Sequence, residues 1–249
     1  MAIVSIISII IFLLLSILGL IYLAKKLKVT ANLIQIEINF RTMSSFFGMF
    51  VLGAILVFFI FFINIKLELI EIVSKQDLAV LLTNIPIEFT TALGEELFLR
   101  VLVFIGILSI KDNKLLALLL SSLIFCLLHS PDTHIKFISY FLAGLMYGIS
   151  FLSFQTIWAP IGLHFSWNFF QSAIFGFPVG SQLSNGYLKI CIIDNTVWNG
   201  GAYGPEGSLL GICARIIIII LILLFSFLLN RQLSSPDFLK LSNNNFNPA

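Results

Sequence analysis

The sequence predicts an all-α fold: a polytopic transmembrane helical bundle of about seven spans, with a polar cavity inside the membrane. Three observations carry that expectation. The first is composition. Of 249 residues, 59% are hydrophobic and only 10% charged, with mean hydropathy +1.07. A soluble domain of this length does not carry so much apolar surface. The second is the division of the chain into apolar segments near the ~20 residues a span requires. The third is that ionisable residues interrupt these segments in a few places only. A net charge of +2 gives no reason to expect a nucleic-acid partner.

Seven segments can be drawn: Ile3–Ala24, Met43–Ile65, Leu78–Ile110, Leu115–His129, Phe137–Phe154, Ile157–Phe177 and Leu209–Asn230. The first lacks a basic leader and is followed by "KKLK", so it reads as a retained span rather than a signal peptide. The third exceeds one simple span. Pro86 suits a first helical turn, which predicts a membrane helix beginning near Ile85, with Leu78–Asn84 packed elsewhere. The fourth stops at the breaker "SPD". The tract "NGGAYGPEGS", Asn199–Ser208, reads as a long irregular loop, and the Asn-rich tail Ser234–Ala249 as disordered. No internal repeat is visible. Cys126, Cys191 and Cys213 form no CxxC pair and read as small buried residues.

Lysine and arginine counts orient the chain. Lys25, Lys26, Lys28, Arg41, Lys111, Lys114, Arg231 and Lys240 fall on one side, against Lys66, Lys75, Lys136 and Lys189 on the other. The richer side is expected to be cytoplasmic, which puts the N-terminus outside and the C-terminus inside.

A charge at mid-bilayer costs roughly 2.5–3.5 kcal/mol on insertion scales, so such residues face a cavity or a partner. "TALGEELFLR" places Glu95, Glu96 and Arg100 inside the third segment. Arg100 follows Glu96 by four residues, so the two share a helix face and can pair. Glu95 points about 100° away, onto a polar stripe with Thr91 and Glu88. A structural Glu–Arg lock accounts for Glu96 and Arg100 but leaves Glu95 without a partner. The second intrusion is "FCLLH", ending in His129, with Ser122 and Cys126 on its face. At 1.5 Å per residue, Glu95 and His129 each lie about 21–22 Å from the cytoplasmic side, so they can meet at one level. His134 fits an ordinary interfacial histidine. The third intrusion, "WAPIGLHFSWN", puts His164 and Asn168 four apart on a helix opened by Pro160, with Gln171 and Ser172 extending the polar face. Counted from Ile157 at the surface, His164 is only about 10 Å deep. Either "FQTIW" is a buried connection, or the three intrusions do not converge.

The set "EELFLR", "FCLLH" and "HFSWN" resembles the CPBP family, the CAAX proteases and bacteriocin-processing enzymes also called Abi. Its motifs EExxxR, FxxxH and HxxxN are matched in order at Glu95, Glu96 and Arg100, at Phe125 and His129, and at His164 and Asn168. Trp158, Pro160 and "GGAYGPEGS" are also similar to the family. The resemblance spans Leu78–Leu210. It implies an intramembrane endopeptidase acting on membrane-associated peptides or proteins, in CAAX trimming, peptide or bacteriocin maturation, or self-immunity. The division that follows is two N-terminal spans in 1–77, the protease core in 78–233 and the polar tail in 234–249.

Two chemistries stay open. In a metal-free glutamate scheme Glu95 and His129 activate water, while His164 and Asn168 stabilise the oxyanion. In a zinc scheme Glu95, His129 and His164 form a His₂Glu ligand set and Glu96 becomes the base. Arg100 and Phe125 have orienting roles in both. HExxH is absent, so the chain is no ordinary zincin. An ion-coupled transporter and a non-catalytic scaffold or immunity protein are the rival classes. The expected location is the plasma membrane of a prokaryote, as a multi-pass protein in contact with lipid.

Overall fold

The computed structural model describes residues 36–180 and 182–228, which are mostly helical. The expected span Ile3–Ala24, the tail 234–249 and Arg231 lie outside the described residues. Helix α1 (Phe40–Lys66) opens with a capping box: the Asn39 side chain accepts from the Thr42 amide at 3.0 Å, and the Thr42 hydroxyl accepts from the Asn39 amide at 3.1 Å. It closes on Lys66, whose charge suits the negative end of the helix dipole. Helix α2 (Ala79–Glu96) continues without a break through a π-helical stretch (Leu97–Phe104) and a final α-helical piece (Ile105–Lys111). Helix α3 (Lys114–Leu128) is capped by Asn113, and helix α4 (His134–Phe154) by Thr133. Helix α5 (Trp158–Asn168) runs on into a second π-helical stretch, Phe169–Ile174. A 3₁₀ segment (Gly201–Gly207) leads into helix α6 (Leu209–Leu228).

Among the described residues, three helices are long and apolar enough to cross a membrane: Phe40–Lys66, His134–Phe154 and Gly201–Leu228. Lys114–Leu128 is apolar but shorter. The remaining two expected spans are α2, which carries Glu88, Glu95, Glu96 and Arg100, and the short α5.

Four expectations need correction. The fold is not purely α-helical. Strand β1 (Ile70–Lys75) pairs antiparallel with β2 (Leu188–Ile192), with Ile70 opposite Ile192 and Lys75 opposite Leu188. Both strands are short and more than a hundred residues apart, so no hairpin turn joins them and the sequence gives no sign that they pair. Second, the helix around Pro86 begins at Ala79 rather than Ile85. Proline forfeits one backbone bond, and in the same turn Thr83 and Asn84 donate side-chain bonds to the Val80 carbonyl. Third, "GAYGPEG", Gly201–Gly207, is a 3₁₀ segment rather than part of an irregular loop; Gly204, at φ 61° and ψ −153°, makes its kink. Fourth, only Cys126 is buried; Cys191 and Cys213 are exposed, and all three are free.

Small residues let the helices approach closely, as membrane helices require. A Cβ on Gly162 of α5 would stand 2.3 Å from the Phe46 carbonyl oxygen of α1, and one on Gly53 of α1 would stand 2.1 Å from Ser166 Oγ. Phe50 packs against Phe165 and Phe170 along the same seam. Gly162→Val is therefore expected to force α1 from α5, because the obstacle is backbone rather than a movable side chain. Overpacking of this kind costs about 1–3 kcal/mol, and the variant should melt earlier in detergent. Gly48→Val has open space around it and is expected to leave the melting temperature near that of the parent. Equal melting of both variants would refute the α1–α5 packing.

The turn between α4 and α5 decides whether α5 can reach the other polar helices. Phe154, Thr156 and Ile157 are buried, and Gln155 takes the left-handed conformation that ends α4. Trp158 Nε1 donates to the Ile36 carbonyl at 3.0 Å. "FQTIW" is thus a buried connection, and α5 starts inside the packed bundle.

Candidate active site

The polar residues of α2, α3 and α5 meet in one cavity of about 310 Å³. Glu88, Thr91 and Glu95 line it from α2, and Phe125 and His129 from the end of α3. His164 and Asn168 line it from α5. The stripe read from helical spacing is therefore one wall of the cavity. Glu96 turns the other way and is fully buried. Its Oε2 accepts from Arg100 Nε at 2.8 Å, and its Oε1 lies 2.9 Å from His164 Nδ1. A carboxylate only accepts hydrogen bonds, so His164 Nδ1 carries the proton of that bond. The Glu96–Arg100 pair thereby fixes the ring of His164 and aims its Nε2 at the cavity.

His129 is fixed by the same logic with a different acceptor. It caps the C-terminus of α3, and its Nδ1 lies 2.8 Å from the Phe125 carbonyl. A carbonyl also only accepts, so Nε2 is again the nitrogen left for chemistry. The ring stacks on Phe125 at 4.4 Å between centroids and on Tyr140 at 4.7 Å. This explains the phenylalanine four residues earlier: it supplies both a carbonyl and a stacking face. His164 stacks on Tyr147 at 4.4 Å with 13° between planes.

Glu95 Oε2 lies 3.9 Å from His129 Nε2 and 3.9 Å from His164 Nε2. It is buried and has no hydrogen-bond partner. A water at about 2.8 Å from Glu95 Oε2 and from one Nε2 spans that gap at an ordinary angle near 90°. Zinc does not fit as well. The donor chemistry suits it, since each imidazole gives its second nitrogen to an acceptor. With bonds of about 2.0–2.1 Å, however, the 3.9 Å spacing opens each O–Zn–N angle to roughly 145°, far from tetrahedral. Among the described residues, no group of three His, Cys, Asp or Glu side chains is gathered closely enough to hold a metal ion.

Around this centre, Ser172 donates to Glu88 Oε1 at 2.6 Å. Asn168 borders the cavity one turn after His164. Gln171 does not extend the cavity wall: its side chain bonds Trp167 Nε1 and the Pro178 carbonyl. His134 is exposed at the start of α4. Of the cavity residues not anticipated, four carry polar side chains: Tyr140, Tyr147, Glu206 and Arg215. Arg215 did leave a signal, being a charge inside the most apolar helix. The tyrosines left none, because they sit among the other aromatic residues of α4, Phe137, Phe141, Phe151 and Phe154.

With this geometry in place, the chain can be set beside known proteins. Residues 77–170 match the family model of the type II CAAX prenyl endopeptidase Rce1-like proteins. This stretch is Rce1-like. The match covers less than half of the chain, yet it includes the whole of α2 to α5 up to Asn168, and so every residue of the EExxxR, FxxxH and HxxxN motifs, while "GGAYGPEGS" lies beyond it. Tyr140 and Tyr147 also fall inside the Rce1-like stretch, whereas Glu206 and Arg215 lie beyond it. No curated protein and no solved structure matches the chain. The Rce1-like family and the apolar helices together point to an integral membrane protein and a CAAX-protease type of intramembrane endopeptidase, whose substrate is a peptide or protein in a membrane.

Proposed function

We propose that this chain is a multi-pass endopeptidase of a prokaryotic plasma membrane, with about seven spans, that hydrolyses membrane-associated peptides by a glutamate-driven, metal-free route. The observation that carries the reading is the partnerless Glu95 Oε2, set 3.9 Å from two imidazole nitrogens. Glu95 and His129 Nε2 are both acceptors, so they can hold one water by its two protons and leave its lone pairs toward the substrate carbonyl. Glu95 takes a proton as the water oxygen bonds to the carbonyl carbon. The carbonyl oxygen becomes an oxyanion, which the Asn168 amide can bind. His164 joins as a donor when its Nε2 is protonated, an imidazolium facing both Glu95 and Glu96. Collapse breaks the carbon–nitrogen bond, and Glu95 returns the proton to the leaving amine. Pre-aimed donors and a positioned base are the usual large terms in such a reaction.

The reading is tested in cells that carry either the natural chain or Glu95→Gln, by comparing the termini of membrane peptides and proteins. A terminus generated only with the natural chain supports it. Identical terminal profiles at equal expression would remove it. Metal supplies a second test. Purified protein dialysed against chelator is expected to hold far less than one zinc per chain and to keep cleaving. Stoichiometric zinc, lost together in His129→Ala and His164→Ala, would reinstate the His₂Glu scheme.

A further inference from the structure

Arg215 has no part in the chemistry above, yet it borders the same cavity. It sits in α6, within "GICARIIIII", and is 1% exposed. A guanidinium has five N–H donors. Arg215 Nη1 donates to Ser139 Oγ at 2.6 Å, and its Cζ lies 4.3 Å over the Trp167 ring. Its Nε has no partner. Among the described residues no carboxylate oxygen comes within 4.0 Å of its nitrogens. Glu206 shares the cavity, but its carboxylate accepts instead from the Tyr140 hydroxyl at 3.4 Å. Space for the guanidinium is kept by Gly211, where a Cβ would stand 3.0 Å from Nη1 and 1.9 Å from the Pro205 carbonyl oxygen.

A buried cation with no carboxylate in contact carries a large desolvation cost, of which Glu206 across the cavity offsets only part. One hydroxyl and one aromatic face offset only part of it. In the wall of a substrate cavity, the remaining donors fit an anion brought by the substrate. Guanidinium suits a carboxylate best, through paired and planar hydrogen bonds. We propose that Arg215 anchors a carboxylate of the peptide substrate, and so fixes which bond is presented to Glu95. The inference rests on the peptidase reading for the identity of the ligand. The carboxylate is either the free C-terminus of the peptide or an Asp or Glu side chain near the cleaved bond.

The probe is a randomised decapeptide library, prepared once with free C-terminal carboxylates and once as C-terminal amides. Each is passed over immobilised full-length protein carrying Glu95→Gln, in detergent, with Arg215 intact or changed to Met or Lys. With Arg215 intact, one of two patterns is expected. Either the free acids are retained roughly tenfold or more over the amides, or both libraries are retained with Asp or Glu enriched at one position. The first assigns the carboxylate to the C-terminus, the second to a side chain. Arg215→Met is expected to erase the preference, and Arg215→Lys to keep a weakened form of it. A merely structural arginine would lower retention of all peptides alike and leave the preference unchanged. The anchor is overturned by a preference that survives Arg215→Met, by retention without any carboxylate preference, or by no retention at all. Cleavage of the same libraries by protein with Glu95 intact is scored separately. A carboxylate preference without cleavage would sink the peptidase reading and leave the anchor standing.

Discussion

Glu95→Gln is expected to lower cleavage by about 10²–10⁴-fold, the usual contribution of a general base, while expression and thermal stability stay near normal. The change keeps the size of the side chain and removes only its ability to take a proton. Stability should hold because Glu95 makes no hydrogen bond that the fold needs; its Oε2 has no partner, and its nearest imidazole nitrogens are 3.9 Å away. The neighbouring carboxylate should behave in the opposite way. Glu96→Gln preserves an acceptor for His164 Nδ1 but leaves Arg100 as a buried cation without a counter-ion, so its primary effect should be on folding. The measurement is turnover per folded molecule beside a melting curve for each variant. Well-folded Glu96→Gln without activity, together with an active Glu95→Gln, would invert the two roles and make the zinc scheme with Glu96 as base the better account.

What could be read from the sequence is what depends on one helix at a time. The i, i+4 spacing joined Glu96 to Arg100, and the same geometry put Glu95 on a stripe with Thr91 and Glu88. Both statements need only about 100° per residue, and α2 stays α-helical through Glu96. Glu88, Thr91 and Glu95 lie wholly in that α-helical part; Arg100 lies in the π-helical stretch that begins at Leu97, where the wider turn still leaves its Nε 2.8 Å from Glu96 Oε2. Whether His164 could meet Glu95 was not legible, because it turns on a buried connection between α4 and α5. A residue count from an assumed surface gives a depth, not which helices pack together, and the contact of His164 with Glu95 and Glu96 depends on the latter.

The remaining parts of the site are tertiary. His164 Nδ1 meets Glu96 across 68 positions of sequence, and this contact sets the ring nitrogen that faces the cavity. Tyr140 and Tyr147 become site residues only because α4 packs beside α3 and α5. The 3₁₀ segment brings Glu206 to the cavity through glycines at positive φ, among them Gly200, Gly201 and Gly204. A glycine-rich tract announces such backbone freedom but not the direction in which the chain turns. Arg215 is a different case. The cost argument that singled out Glu95 applies equally to an arginine in an apolar helix, and it identifies the residue without saying that it faces the same cavity.

Arg100→Ala is expected to be the most destabilising single change in the site, by about 3–5 kcal/mol, because it strands a buried carboxylate. Glu96 and Arg100 are both fully shielded from solvent, so neither water nor salt can replace the lost partner. Arg100 is held tightly as well: a Cβ on Gly148 of α4 would lie 3.1 Å from its Nη1. Removing the guanidinium therefore leaves a void beside α4 in addition to a lone charge. The structure makes a further demand on this pair, since Glu96 also accepts from His164. An unpaired Glu96 that takes up a proton becomes a donor at one oxygen, and the ring of His164 loses its fixed orientation. Any Arg100→Ala protein that survives purification should accordingly cleave slowly as well as melt early. Glu96→Gln combined with Arg100→Met removes both charges, keeps an acceptor for His164 and refills most of the volume. That double variant should recover much of the lost melting temperature, because a buried pair contributes far less than the penalty of breaking it on one side. Melting curves of the two single variants and the double variant decide the point. Additive losses would mean that the two residues act independently, and would refute the assignment of this pair as the lock that holds His164 toward Glu95.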